Sequence, residues 1–393
     1  MKTIARKYIA AAGLLLAAAC DRDPNVVIVD PGEEPGMPTD LFASYAWVLE
    51  DFQNGQPVGY PSVQVSWLPP SDWDDEVFRV YGKRASDASF TLIGTVTSCT
   101  DVGCVYTDRN VQPGGSYEYY VAAYDESSDL ETASDFRDVV GVPAANRPAA
   151  PTALDAVALD NAAFLRWTAP ANPGAVSKYV VYLTSVDGTA SLYQAGQTDG
   201  TGFLDQRAEN GSRFGYRVAT LDSLGHYSNL SSEVLVSPRP DFTGELVYAF
   251  ADSAAASGFR FQPNEADNPI LAGTSASAHW RLESDMTGWR IVPLNGTQVT
   301  EFGRTTALVC GPGADAGCTA ARTAPSAGYT TAPLYADPEY SYVFRVTGSD
   351  GQPHFAVLRV TMLGTDQNGN DLMIFDWAYQ TRPNEPQLSV TAR

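Results

Sequence analysis

A domain-sized internal repeat constrains this chain more than any other feature. VQVSWLPP (63–70) returns as FLRWTAP (164–170), FRVYGK (78–83) as KYVVYL (178–183), and YEYYVAAYD (117–125) as FGYRVATLD (214–222). Trp67 and Trp167 stand 100 positions apart, and Val121 and Val218 stand 97 apart. In the first copy, apolar and polar residues alternate, as in VQVSW (63–67), so one face of the piece is apolar, as in a half-buried strand, and the second copy repeats the plan. Turn clusters break the pieces at regular spacing. With 33 Gly and 26 Pro in 393 residues, there is ample turn material. Short alternating strands in two copies of this size predict two tandem antiparallel β-sandwiches, over 41–143 and 151–238. ANRPAAPT (145–152) reads as the linker between them.

From 241 the repeat stops and strand character continues. HWRLES (279–284), GWRIVPL (288–294), YSYVFRVTG (340–348), HFAVLRVTML (354–363) and LMIFDWAYQ (372–380) are the clearest pieces. SDGQP (349–353) and TDQNGND (365–371) separate the last three, and Asn368-Gly369 is a hairpin signal. A three-stranded antiparallel meander is expected at the C-terminal end of a third unit, 241–393. The whole chain is therefore expected to be all-β.

Two resemblances sharpen this. The early-strand Trp, the Tyr-bearing third strand and PGGSYEYYVAAYD (113–125) resemble fibronectin type III domains, an immunoglobulin-like fold. That resemblance implies a corner tyrosine whose hydroxyl returns to the chain. Tyr117 fits the position, and Phe214 replaces it in the second copy, so that corner must be held otherwise. The stretch GYTTAPLYADPE (328–339), followed by YSYVFRVTGSDGQPHFAVLRV and FDWAYQ, resembles the HmuY family of envelope lipoproteins. This likeness implies a β-rich domain over 276–390 and, through axial His or Met side chains, haem. It does not account for 241–275.

The start of the chain speaks to location. MKTIARKYIAAAGLLLAAAC (1–20) has a basic start, then an apolar run from Ile9 to Leu16. That run is too short for the roughly 20 residues of a spanning helix. It reads as a signal peptide, 1–19. Cys20 after three alanines resembles the lipobox of bacterial lipoproteins, which implies a lipidated Cys20 and a membrane anchor. Residues 20–40 then form an acidic Pro/Gly tether, and a cell-envelope location, outer membrane or cell surface, follows. The other four cysteines form close pairs, Cys99 with Cys104 and Cys310 with Cys318. In an exported chain such pairs read as loop disulfides; no structural metal site is expected.

Function is less legible. Lys+Arg number 25 against 46 Asp+Glu, and the net charge of −21 disfavours nucleic acid as a partner. No nucleophile–base motif such as GxSxG or HExxH appears, so no enzyme is expected. The primary expectation is a non-catalytic scaffold for surface binding or adhesion, with a protein or glycan partner. Haem or small-ligand binding is the alternative, and a surface glycan hydrolase with paired carboxylates is the second. No cofactor is assigned beyond that haem alternative. The ligand candidates are His279, His354 and Met286; Met362 and Met373 share the domain, and His226 reads as a turn residue. SDWDDE (71–76) and DQNGND (366–371) are candidate calcium loops. Trp73, Tyr329 and Tyr335 are candidate exposed aromatics.

Overall fold

The computed structural model describes residues 34–389, apart from 72, 74, 75, 101, 145, 174, 175, 265, 266 and 312. The signal peptide, Cys20 and the tether up to residue 33 lie outside the described residues, as do three acids of the 71–76 loop.

The first sandwich contains β1 (Thr39–Gln53), β2 (Gln56–Leu68), β3 (Val77–Arg84), β4 (Thr91–Val96), β5 (Cys104–Asp108), β6 (Ser116–Asp125), β7 (Leu130–Ala133) and β8 (Asp138–Gly141). One sheet runs β1-β2-β5; the other runs β4-β3-β6-β7, with β8 also on β6. Alternation decides which side chains face inward. Val63, Val65 and Trp67 of β2 meet Phe78 and Val80 of β3 and Tyr119, Val121 and Ala123 of β6, all buried. Each large apolar side chain fully buried this way contributes about 1.5–3 kcal/mol. Trp73 belongs to this core rather than to an exposed patch. Its ring lies 5.5 Å from Phe78, and its Nε1 donates to the Glu76 carbonyl.

The second sandwich repeats the plan with β9 (Thr152–Leu159), β10 (Ala162–Thr168), β11 (Lys178–Val186), β12 (Thr189–Thr198), β13 (Gly202–Asp205), β14 (Phe214–Leu221) and β15 (Val234–Val236). Its sheets run β13-β10-β9 and β12-β11-β14-β15. The Tyr117 hydroxyl accepts from the Gln112 backbone N–H at 2.8 Å, the return expected of a corner tyrosine. The second copy, with Phe214 there, relies on another pair present in both. Tyr119 donates to Asp108 at 2.9 Å, and Tyr216 donates to Asp205 at 3.0 Å. Each Asp also accepts a turn N–H two residues on, from Asn110 and Arg207. A buried hydrogen bond to a carboxylate is worth about 1.5–3 kcal/mol, enough to hold the corner without a Tyr at 214.

The third unit is also a sandwich. It contains β16 (Asp241–Tyr248), β17 (Gly258–Phe259), β18 (Ile270–Leu271), β19 (Trp280–Asp285), β20 (Gly288–Pro293), β21 (Gln298–Arg304), β22 (Leu334–Tyr335), β23 (Tyr340–Thr347), β24 (Pro353–Thr365) and β25 (Asp371–Tyr379). Its five-stranded sheets run β16-β25-β24-β23-β21 and β18-β17-β19-β20-β22. The expected meander β23-β24-β25 is present. Segment 241–275 is integral: β16 extends the meander sheet, and β17 and β18 build the opposite one. Phe259 sits at the centre of the core, with Trp280, Phe375 and Trp377 ring centroids 5.1–5.5 Å away. The outer face of the meander is covered as well. Val343, Val357 and Ala378 pack under Leu308, Ala321, Ala324 and Leu388, and the Cys310–Cys318 disulfide staples that covering loop. Cys99–Cys104 staples the loop into β5.

The β24–β25 turn differs from a two-residue hairpin. Asp366 accepts the N–H groups of Asn368 and Asn370 and the Asn370 side-chain amide. These bonds hold its carboxyl below the usual range, and they occupy a carboxylate that the calcium reading would need. Among the described residues, no group of three or more His, Cys, Asp or Glu is placed to hold a metal ion.

Both junctions between sandwiches are packed. The β1–β2 hairpin overshoots its own domain and lays Leu49 and Phe52 on Val180, Tyr182, Ala219 and Tyr227 of the second. Asn54 and Gly55, both at positive φ, make the tight turn at its tip, where the Gly55 carbonyl accepts from Leu230 N–H. His226 is a keystone of this seam, 2% exposed. Its Nε2 meets the Tyr45 hydroxyl at 2.6 Å, its Nδ1 meets Asp222 at 3.0 Å, and Trp47 stands edge-on to the ring. The second and third sandwiches join around Arg239, which is fully buried. Its backbone N–H donates to Leu159, and its Nε donates to the Leu388 carbonyl. Ser237 is held by Gln387 and Glu385, and Arg382 pairs with Asp187.

Candidate ligand cleft

At one end of the third sandwich, between the residues following β17 and the β23–β24 turn, lies an open cleft of about 420 Å³. Its walls include Arg260, Gln262, Asp267, His279, Asn295 and Tyr379. Phe259, the last residue of β17, and Phe261 point into the aromatic core, while Arg260 and Gln262 line the cleft.

The hydrogen-bond partners fix the polarity of each group. Phe261 N–H donates to His279 Nδ1 at 3.0 Å. A backbone N–H can only donate, so Nδ1 is bare and the neutral ring carries its proton on Nε2. Burial, and then the nearby Arg260 charge, lower the His279 pKa to about 4, so the ring is neutral at physiological pH. Arg260 Nη2 donates to Gln262 Oε1 at 3.0 Å. Arginine has no acceptor, so that atom is the amide oxygen and the NH₂ is the free end. Gln262 is 4% exposed, and its Nε2 has no partner; neither has Arg260 Nε. An orphaned buried donor costs about 1–3 kcal/mol. Asn295 spends both amide hydrogens on the Ser275 and Ala278 carbonyls, which leaves its oxygen as an acceptor.

The three ligand candidates do not converge. His279 lines the cleft. His354 lies behind its wall: a Cβ on the lining residue Gly348 would fall 2.5 Å from His354 Cδ2. His354 stacks on Tyr379, and both its nitrogens are engaged, Nδ1 with the Gln380 carbonyl and Nε2 with Asp350. Met286 is fully exposed in the β19–β20 turn and Met362 is half exposed, whereas Met373 is core. A haem iron needs a bare imidazole nitrogen in an apolar pocket. The nitrogen that His279 has free bears a proton, and polar groups line the walls, so this set does not fit haem. A glycosidase places two carboxylates about the scissile bond; among the described residues lining the cleft there is one, Asp267. Tyr329 packs on Phe355 and is half buried, and Tyr335 is 55% exposed.

The strand orders place three strands against a C′-C-F-G-type sheet in each of the first two units. The first two sandwiches are fibronectin type III-like. No family model matches the chain, and no curated protein matches it. Among solved structures it is similar to the crystal structure of the chicken CNTN1 FN1-FN3 domains, at 16% identity and a TM-score of 0.37, covering 53% of this chain and 69% of that one. It is also similar to a two-fibronectin type III domain segment of chicken tenascin, at 13% identity and a TM-score of 0.21, covering 51% and 98%. These likenesses concern fold alone.

Arg260, Gln262 and Asn295 carry no sequence motif. FRFQP (259–263) alternates apolar and polar residues, a strand pattern rather than a site signal, and only Phe259 of it lies in a strand.

Proposed function

We propose that the chain is a non-catalytic, lipid-anchored cell-envelope protein: a β scaffold for surface binding or adhesion whose three sandwiches are held in a fixed arrangement beyond the tether. The leader and Cys20 support the anchor. The observation that carries the scaffold reading is the pair of packed junctions. A flexible array of modules has exposed linkers with few crossing contacts; here Phe52 and His226 bury the first junction and Arg239 the second.

Two measurements test this. In the native host, Cys20→Ala should move the chain from the membrane fraction to the soluble fraction, and unchanged membrane recovery would remove the anchor. In the soluble chain 21–393, spin labels on the first and second sandwiches should give one narrow distance distribution, and Phe52→Asp should broaden it severalfold. A broad distribution in the unaltered chain would refute the rigid scaffold.

A further inference from the structure

The outer face of the β1-β2-β5 sheet is partly apolar and uncharged, on a chain of net charge −21. Ala43, Val63, Val65, Trp67 and Cys104 belong to the first core, so strand alternation turns Phe42, Leu68 and Val105 outward. With Val102, in the loop stapled by Cys99–Cys104, they are between 41% (Leu68) and 88% (Val102) exposed. Phe42, Ser66 and Val105 form one cross-strand row, and the Ser66 hydroxyl donates to the Phe42 carbonyl. The next row, Ser44, Gln64 and Thr107, is polar without charge. The charged residues of these three strands are Asp40, Glu50 and Asp51, towards the ends of β1, and Asp108, which is buried against Tyr119.

Two other sheet faces are built differently. The opposite sheet of the same sandwich carries the ion pairs Arg79–Glu131 and Lys83–Glu118. In the second sandwich, Trp167 matches Trp67, so Arg166 matches Ser66. Arg166 stands between Asp155 and Gly202, where the first sandwich has Phe42 and Val105. The same row of the fold is Asp-Arg-Gly in one copy and Phe-Ser-Val in the other.

Charge selects the occupant. A basic partner finds no carboxylate in these rows to pair with. Two copies of so acidic a chain repel over most of their surface, and a face without charge lets them approach and buries apolar area without desolvating an ion. We propose that this face is a contact between two copies of the chain, packed sheet to sheet in a weak dimer. With the two-fold axis along the strands, β1 of each copy meets β5 of the other. Phe42 of each copy then sits against Val105 of the other, with Ser66 near the axis. Both copies run the same way, so both tethers leave from the same end, as two copies anchored in one membrane require. That agreement rests on the anchor; the contact itself does not.

The test is sedimentation equilibrium of the soluble 21–393 chain at pH 7, which does not involve the anchor. It should show monomer and dimer with a Kd of about 100 μM or tighter. Phe42→Lys and Val105→Lys should each weaken the dimer at least tenfold, because a two-fold contact carries every substitution twice. Their thermal midpoints at low concentration should stay unchanged, since both side chains are exposed. Leu192→Lys, at a comparably exposed apolar residue of the second sandwich, should leave the dimer intact. Raising salt from about 0.05 to about 0.5 M should tighten the dimer by screening the repulsion between copies, whereas an ion-paired contact would weaken. A monomer up to about 500 μM, equal losses in Leu192→Lys and Phe42→Lys, or weakening by salt would overturn the assignment. So would a monomer that binds phosphatidylethanolamine–phosphatidylglycerol vesicles and loses that binding in Phe42→Lys, because the face would then be a lipid contact.

Discussion

Arg239→Ala should cost roughly 3–5 kcal/mol and uncouple the second and third sandwiches. The guanidinium is fully buried. It donates to the Leu388 carbonyl and lies 3.6 Å from Asp241 Oδ2, and burial lowers its pKa to about 10 against the pull of Asp241 and Asp160. It therefore stays charged at neutral pH. Truncation leaves a cavity, the Leu388 carbonyl without its donor, and Asp241 without its partner. Burial already raises the Asp241 pKa, so its charge is poorly solvated once Arg239 is gone. Scanning calorimetry should show these two sandwiches melting together in the unaltered chain and separately in Arg239→Ala. Arg239→Met combined with Asp241→Asn removes both charges and fills most of the space, and it should recover at least half of the loss, since replacing a whole buried pair is often near neutral. One unchanged transition in Arg239→Ala would show that the junction does not depend on this side chain.

The sandwiches were legible because period-2 alternation is a local signal. It marks β3 and the end of β2, whereas β11 and β23 are apolar on both faces, because Leu49 and Phe52 cover the outer side of the one and Leu308 and Leu388 that of the other. The junctions were not. YAWVLEDF (45–52) reads as ordinary strand, and nothing in it says that Leu49 and Phe52 are buried by the neighbouring domain. His226 sits in a Ser/Gly-rich turn, and its burial comes from Tyr45 and Trp47, about 180 residues away in sequence. Trp73 looked exposed because acids surround it, yet the chain folds it onto Phe78. At the cleft, the sequence singled out His279 as a residue, but its role depends on which nitrogen is bare. A single backbone N–H, that of Phe261, decides this, and sequence reading has no access to it. The sequence also paired His279 with His354, whose nitrogens are consumed by Gln380 and Asp350.

Stability should fall by roughly 2–3 kcal/mol as pH drops from 6.5 to 4, with His279 as the main cause, after allowance for the ring's partial exposure. The unfolded chain takes up this proton near 6.5, whereas the folded ring resists it down to about 4, first because it is buried and then because Arg260 is close. Between those values the unfolded state binds more protons, so stability rises with pH across the window. The contribution is fully present above 6.5 and is lost as pH falls through 4. Geometry gives the same sign: a doubly protonated ring would turn Nδ1 into a donor facing the Phe261 N–H. The carboxylates held below their usual range, such as Asp187, Asp285 and Asp366, act lower down, mainly below pH 4. His279→Asn keeps an acceptor for Phe261 and cannot titrate, so urea midpoints of that variant should be nearly flat from pH 6.5 to 4.5 while the unaltered chain declines. Nitrogen NMR of the unaltered chain at pH 7 should show the Nε2–H tautomer. Parallel declines in the two proteins, or a proton on Nδ1, would overturn the assigned polarity of the ring.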